Sequence, residues 1–496
     1  MSENTAGAPT SSTLADAPAA DGQRDLTRGP IFSTLVAFAL PTLGSNVLQS
    51  LNGSINTIWV GRFLGEDALA ATSNANIIMF LMFGLVFGFG MAATILVGQA
   101  WGRHDVDAAR RAFGSATGIV LAGSVVTALL GWTFAPQILR ALATPGRAYD
   151  DALAYLRVIF LGLPASMLLV LMFMGLRGIG DSMTPLWFMG LSVLLDSTLN
   201  PVFILGLGPA PELGIAGSAT ATLIANLVSC AALAAWIAWK DVPIALKGRD
   251  LRLVLPDPAV ARTILAKGVP IGAQMLVISG AGLAMVGLVN RNGVDTTAAY
   301  GITQQVWTYI QMPAMAIGAA VSAMAAQNIG AGRWDRVGRI TRAGLVLNVA
   351  ITGVAVVVAL LFDRALLALF VPADSPVLPI ATHINLIATW GFVLFGGTMV
   401  LFGVVRANGA VWGPLAILFV AMFPVRLGIA LLLRPTLGVD ALWWSFPMGS
   451  ATTVALAALY YGRGSWRKGA LLVPEAHCEE RSHADVEPAG SLRPVG

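Results

Sequence analysis

Apolar runs of about 20 residues recur along the chain, separated by short polar or basic stretches. At about 1.5 Å per helical residue, such a run crosses the roughly 30 Å hydrocarbon core of a bilayer. Twelve runs predict membrane helices over residues 31–58, 74–98, 113–134, 152–176, 184–208, 214–239, 268–290, 298–325, 341–362, 380–404, 412–434 and 438–461. The expected fold class is therefore an all-α membrane protein of about 12 transmembrane helices. Residues 1–30, rich in Ala, Pro, Ser and Thr, read as a disordered extension. The first apolar run is too long for a secretory signal core and is expected to stay attached. Residues 462–496 read as a solvated tail.

The polar intervals set the orientation. With the N-terminus inside, the inside intervals hold Arg103, Arg110, Arg111, Arg177, the basic stretch Lys240 to Lys267, Arg333, Arg336, Arg339, Arg406, Arg463, Arg467 and Lys468. Far fewer basic residues fall outside, among them Arg62, Arg140, Arg291 and Arg434. This bias predicts a multi-pass protein of the cytoplasmic (inner) membrane with both termini in the cytoplasm.

The two halves repeat. Gln99 and Gln327 follow the second span of each half and are 228 residues apart; Arg177 and Arg406 follow the fourth and are 229 apart. Pro185 and Pro414, opening the fifth span, and Pro41 and Pro270, early in the first, keep the same 229 offset. One shared offset at equivalent positions indicates duplication. Each half has an even number of spans, so the repeats are parallel, with a central cleft between them. The predicted domains are an N-lobe at 31–239, a cytoplasmic linker at 240–267 and a C-lobe at 268–461.

Composition agrees with this class. Of 496 residues 56% are hydrophobic and only 11% charged, against about 25% charged in soluble domains. The net charge of +4 belongs to the membrane-flanking intervals and does not signal nucleic acid. The two cysteines, Cys230 and Cys478, imply no disulfide framework. No phosphate-binding loop, zinc motif or Ser/His/Asp grouping occurs, so no enzyme and no cofactor beyond a coupling ion are expected.

Polar residues inside the apolar runs are the candidate chemistry. Asp196 is an acid well inside a span, and Asn200 lies one helical turn on, on the same face. A carboxylate at a helix centre costs about 2.5–3.5 kcal/mol on insertion scales, and such groups commonly mark ion or proton paths. The alternative is a hydrogen-bonded structural acid. Gln49, Asn52 and Asn56 form a polar stripe on the first span, able to face an aqueous cleft or donate to Asp196, or else to act as interhelical glue. Gln304, Trp307, Gln311 and Met315 form a stripe on the eighth span, a surface suited to amphiphilic cations or, alternatively, ordinary packing. Met79, Met82 and Met312 share that pair of readings. Arg426, inside the eleventh span, could neutralise an acid, cap carbonyls near Pro424 or snorkel.

Several segments resemble the multidrug and toxic compound extrusion (MATE) family: Ala39-Leu-Pro41, Thr57-Ile-Trp-Val-Gly61, Val97-Gly-Gln-Ala-Trp-Gly-Arg103, and above all Leu176-Arg-Gly-Ile-Gly-Asp-Ser-Met-Thr-Pro185, with Val405 to Pro414 its weaker twin. The resemblance spans roughly 31–461. It implies two six-helix lobes that alternate access and export drugs or metabolites against Na⁺ or H⁺. Family members often carry an Asp where this chain has Asn56, and read Asn-x-x-x-Asp-Pro where this chain reads Asp196-Ser-Thr-Leu-Asn200-Pro201. One branch has acids where this chain has Ile278 and Phe395. The resemblance therefore leaves Asp196 as the coupling carboxylate, with Asn56 and Asn200 as neighbours, Na⁺ binding at these three as one option, and Thr222 as a further polar position.

The expected function is a secondary antiporter for drugs or amphiphilic, often cationic, metabolites, working as a monomer in the lipid bilayer. The alternatives are a flippase for lipid-linked or polysaccharide precursors and a non-transporting scaffold or receptor.

Overall fold

A computed structural model describes residues 25–64, 84, 86–141, 146–208, 211–372 and 374–468. Among the described residues every regular element is a helix. The reason is physical: hydrocarbon offers no hydrogen bonds to backbone N–H and C=O groups, and a helix satisfies them within one segment. The helices are α1 (Ile31–Leu64), α2 (Val86–Gly102), α3 (Val106–Ala141), α4 (Gly146–Gly178), α5 (Met183–Leu205) and α6 (Ile215–Trp239) in the first lobe. In the second lobe they are α7 (Pro258–Asn290), α8 (Val294–Gly330), α9 (Trp334–Leu361), α10 (Val377–Ala388 and Gly391–Ala407), α11 (Trp412–Leu432) and α12 (Asp440–Arg463).

Among the described residues, nine helices are long and apolar enough to cross a membrane; the two parts of α10, bent by 46°, form a tenth. The remaining predicted spans correspond to α2 and α12. The start of the second span, Met79 and Met82 included, lies outside the described residues, as do residues 1–24 and 469–496. Several helices outrun their apolar runs. α3 begins at Val106 rather than 113 because Asp107, Arg110 and Arg111 continue the helix beyond the apolar segment.

Local chemistry fixes the helix ends. Asp257 caps α7, accepting from the N–H groups of Ala259 at 2.8 Å and Val260 at 3.4 Å, with Pro258 in the first turn. Asp181, in the family-like segment before α5, accepts from the N–H groups of Met183 and Thr184 at 3.0 Å each and from the Thr184 hydroxyl at 2.6 Å. Gly180 before it turns the chain at φ 93°. Pro185 and Pro414 sit in the first turns of α5 and α11, where a missing N–H costs nothing. Pro424 lies in a π-helical stretch of α11, Ala421–Leu427.

The polarity is that of a membrane protein. Large apolar side chains such as Leu129, Trp187, Leu283, Val354 and Leu432 point outward, while Asp196, Asn200, Gln99, Gln327 and Asn348 are buried. Each lobe has its own apolar core, one including Leu96, Leu156, Phe160 and Leu171, the other Tyr300, Trp307, Ile384 and Trp443.

The lobes meet at the face that carries Leu26 and Trp466, here termed the terminal face. Gln99 of α2 donates through Nε2 to the carbonyl of Ala407 at 2.8 Å; Gln327 of α8 donates to the carbonyl of Gly178 at 2.9 Å. Donors and acceptors both obey the repeat, 228 and 229 residues apart. The two bonds are thus the same bond made twice, each from one lobe to the last turn of a helix in the other. Glycine makes the approach close enough. A Cβ on Gly102 would collide with the Gln327 carbonyl oxygen, and one on Gly330 with that of Gln99.

The segments flanking the bundle are anchored more firmly than their composition indicates. The last residues of the expected extension pack against α8: Leu26 and Thr27 are buried, the Leu26 N–H donates to Gln327 Oε1 at 3.3 Å, and Asn328 donates to the Leu26 carbonyl at 3.0 Å. Trp466, in the expected solvated tail, is also buried, and its carbonyl accepts from Asn408 at 2.7 Å. A single apolar anchor within a polar stretch is invisible to averaged hydropathy. In the linker, Val242, Ile244 and Ala245 are buried against the first lobe. A bond from Lys247 at 2.9 Å holds the exposed Asp241 carboxyl below the usual carboxylate range.

Candidate functional site

The polar stripe of α1 and the acid of α5 come together. Asp196 is 1% exposed, and donors from two other helices surround its carboxylate. Asn56 Nδ2 donates to Oδ2 at 3.0 Å, and Thr222 Oγ1 of α6 donates to Oδ1 at 2.9 Å. Asn52 also reaches the carboxylate with its side chain. Asn200, one turn along α5, donates to the Asp196 carbonyl at 2.8 Å, to Oδ1 at 3.3 Å and to Asn56 Oδ1 at 2.7 Å. Tyr155 of α4 is within electrostatic reach. The expected trio of Asp196, Asn200 and Asn56 is therefore one network, and Thr222 belongs to it.

A cavity of about 200 Å³ lies beside the network, walled by Gln49, Asn52, Ser166, Ser192, Thr222 and Asn226 together with apolar residues of α4 and α6. Asn52 and Thr222 have both roles: they line the cavity and touch Asp196. The carboxyl thus stands one side chain behind the cavity wall. The sequence reading missed the rest of this wall. Ser192 donates to Asn226 Oδ1 at 3.1 Å, and Asn226 donates to Ser166 Oγ at 2.9 Å. Three polar residues on three helices carry no shared spacing, and only their scatter within apolar runs pointed to them.

Two buried amide oxygens, Asn52 Oδ1 and Asn200 Oδ1, have no hydrogen-bond donor. Such atoms normally find a partner. Both amides also bond the Asp196 carboxylate, so these oxygens belong to its polar network, and oxygen is the ligand type that hard cations take. Asp196, Asn52 and Asn200 offer oxygens of the type Na⁺ takes, whereas the expected ligand Asn56 has its oxygen engaged by Asn200 at 2.7 Å; a carboxyl also takes a proton.

The stripe on α8 divides. Gln304, Trp307 and Gln311 line a second cavity, of about 290 Å³, within the other lobe. Met315 does not; it is 43% exposed and lies outside that wall. Trp307 is also a buried structural donor, bonding Asn385 Oδ1 at 3.0 Å and Thr389 Oγ1 at 3.1 Å. Asn385 in turn donates to Asp363 at 2.6 Å. Asp363 is also a buried acid, just beyond the end of the span predicted at 341–362.

A duplicated bundle of membrane helices with a polar cavity inside each half is the build of a secondary transporter. The MatE family model matches residues 41–202 and again 270–432, two copies starting 229 residues apart. The chain belongs to this family. Among curated relatives it is 33% identical over 440 residues to the probable multidrug resistance protein YoeA of Bacillus subtilis, covering 88% of this chain and 95% of that one. It is 26% identical to the probable multidrug resistance protein NorM of Thermotoga maritima, covering 89% and 94%. Among solved structures, an outward-facing multidrug resistance MATE transporter superposes with a TM-score of 0.82 at 20% identity, covering 88% of this chain and 96% of that one. A MATE crystallised with MaD3S matches equally, at 0.82 and 20%, covering 89% and 98%.

Proposed function

We propose that this protein exports amphiphilic small molecules across the cytoplasmic membrane by alternating access, in exchange for H⁺ or Na⁺ bound at Asp196. The observation that carries the reading is the site itself: a carboxyl enclosed by α1, α5 and α6, with the donorless oxygens of Asn52 and Asn200 beside it. An unpaired carboxylate is costly in hydrocarbon, and a bound cation removes that cost. Relatives named as multidrug resistance proteins support the substrate class.

The route of coupling follows from Asn52 and Thr222. Each is held by Asp196 while forming part of the cavity wall. A cation arriving at the carboxyl takes over oxygens or displaces donors, so these side chains turn and the wall changes shape. By reciprocity, a substrate that prefers the other wall shape weakens cation binding. That mutual exclusion is what exchange requires. The basic bias of the terminal face supports its lying in the cytoplasm. A cysteine at Lys247 would then escape an impermeant label applied outside. With that orientation, the lobe contacts of Gln99 and Gln327 close the inner side, as in an outward-facing state.

The test is efflux from proteoliposomes under separately imposed H⁺ and Na⁺ gradients, with a labelled panel of aromatic amines and carboxylates. Acceleration by one inward cation gradient is expected. No acceleration by either would end the proposal.

A further inference from the structure

The two cavities occupy related places in the duplicated fold but differ in charge. The first is backed by Asp196. The second carries Arg426, which by the 229-residue offset is the counterpart of Ser197, the neighbour of that acid. The guanidinium carbon of Arg426 stands 3.7 Å from the centre of the Phe446 ring, and Nη1 is 3.6 Å from Met422 Sδ. Its Nε has no hydrogen-bond partner, and among the described residues no carboxylate pairs with it. The other polar groups in the wall are the amides of Gln304 and Gln311, the phenol of Tyr300, the indole of Trp307 and the hydroxyls of Thr308, Thr398, Ser450 and Thr453; none is anionic. Ile278 and Phe395, the two positions where one branch of the family has acids, both line this cavity.

A cation facing an internal cavity without a counter-ion has unused attraction for an anion and repels ammonium groups. Stacking on Phe446 occupies the face of the guanidinium and leaves the in-plane N–H groups other than the one on Met422 Sδ available. That fork matches a carboxylate, where two parallel charge-assisted bonds can form. The apolar wall, Trp307 and Phe392 included, suits an attached ring system, and about 290 Å³ lies at the small end of ligand pockets. We infer that the second-lobe cavity binds aromatic carboxylates, with Arg426 holding the carboxylate. This inference rests on the exporter reading and narrows its substrate class from amphiphiles in general to organic acids and zwitterions. It reverses the cationic preference that the α8 stripe alone predicted.

The experiment is equilibrium binding to the purified protein in detergent, without any ion gradient. The probes are biphenyl-4-carboxylate, its uncharged carboxamide and biphenyl-4-methylamine, which share one ring system. Wild-type protein should bind the carboxylate at least about tenfold more tightly than either analogue. Arg426→Gln should bring carboxylate binding down to that of the carboxamide, and Arg426→Lys should recover part of the difference. Tighter or equal binding of the amine by wild-type protein overturns the inference without recourse to any variant. A carboxylate preference that survives in a folded Arg426→Gln protein overturns it as well. Because no gradient is present, the result stands apart from coupling. Carboxylate preference without gradient-driven efflux would fault the exporter reading alone, and gradient-driven efflux confined to the amine would fault this inference alone.

Discussion

The side-chain amide of Asn56 in α1 donates to Asp196 in α5 at 3.0 Å, and its oxygen accepts from Asn200 at 2.7 Å. One amide therefore ties the coupling candidate to a second helix and fixes the orientation of the neighbouring amide. At a position where the family resemblance implies an acid, this amide supplies a donor.

Removing these donors should change the affinity of the site for its cation more than it changes folding. A hydrogen bond to a charged group contributes about 1.5–3 kcal/mol. Asn56→Ala and Thr222→Val should each shift the cation concentration that half-saturates gradient-driven efflux by about tenfold or more. Titrating efflux rate against cation in proteoliposomes reads this directly. An unchanged midpoint in both variants would show that the donors do not act on the ion.

The paired bonds at the terminal face should set the balance between conformations. Gln99→Ala or Gln327→Ala removes one inter-lobe bond, a net change of about 0.5–1.5 kcal/mol, and shifts the population by roughly two- to tenfold. Gly102→Val is harsher, since its side chain would meet the Gln327 backbone. Spin labels across the terminal face should show longer distances in Gly102→Val, with substrate binding retained and turnover lost. Unaltered distances and turnover would remove the pair from any gating role.

The flanking anchors predict a stability effect. Trp466 is 2% exposed and stacks on Tyr461 at 5.3 Å between ring centres. Trp466→Ala should cost about 3–5 kcal/mol, seen as a lower melting temperature of the detergent-purified protein. A melting temperature within a degree of wild type would show that the segment after α12 does not support the bundle.

How legible this was depends on the range of the interaction. The spans and the duplication rest on long apolar runs and on residue types repeated at one offset, which a sequence displays directly. Asp196 with Asn200 was legible because four residues make one helical turn. Asn56 and Thr222 were recoverable only through the α1 stripe and the family pattern, since nothing local says which helix faces α5. The links from Ser192 through Asn226 to Ser166 and from Trp307 to Asp363 join helices distant in sequence, and no periodicity encodes them. Met315 shows the limit of periodicity: it continues the α8 stripe but lies beyond the end of the cavity wall. Arg426 stood out as a charge in an apolar run, but only the packing of five helices shows it facing a cavity without an acid.

Asp196→Asn tests the central claim most directly. The change keeps the volume and replaces a buried acid by an amide, which is easier to bury than an anion. Melting temperature and gradient-driven efflux should be measured on the same preparation. The account predicts a protein that melts at or above the wild-type temperature, still exchanges labelled substrate across the membrane without a gradient, and has lost acceleration by both H⁺ and Na⁺ gradients. A folded Asp196→Asn protein with undiminished coupled efflux would contradict it and move the ion to another site.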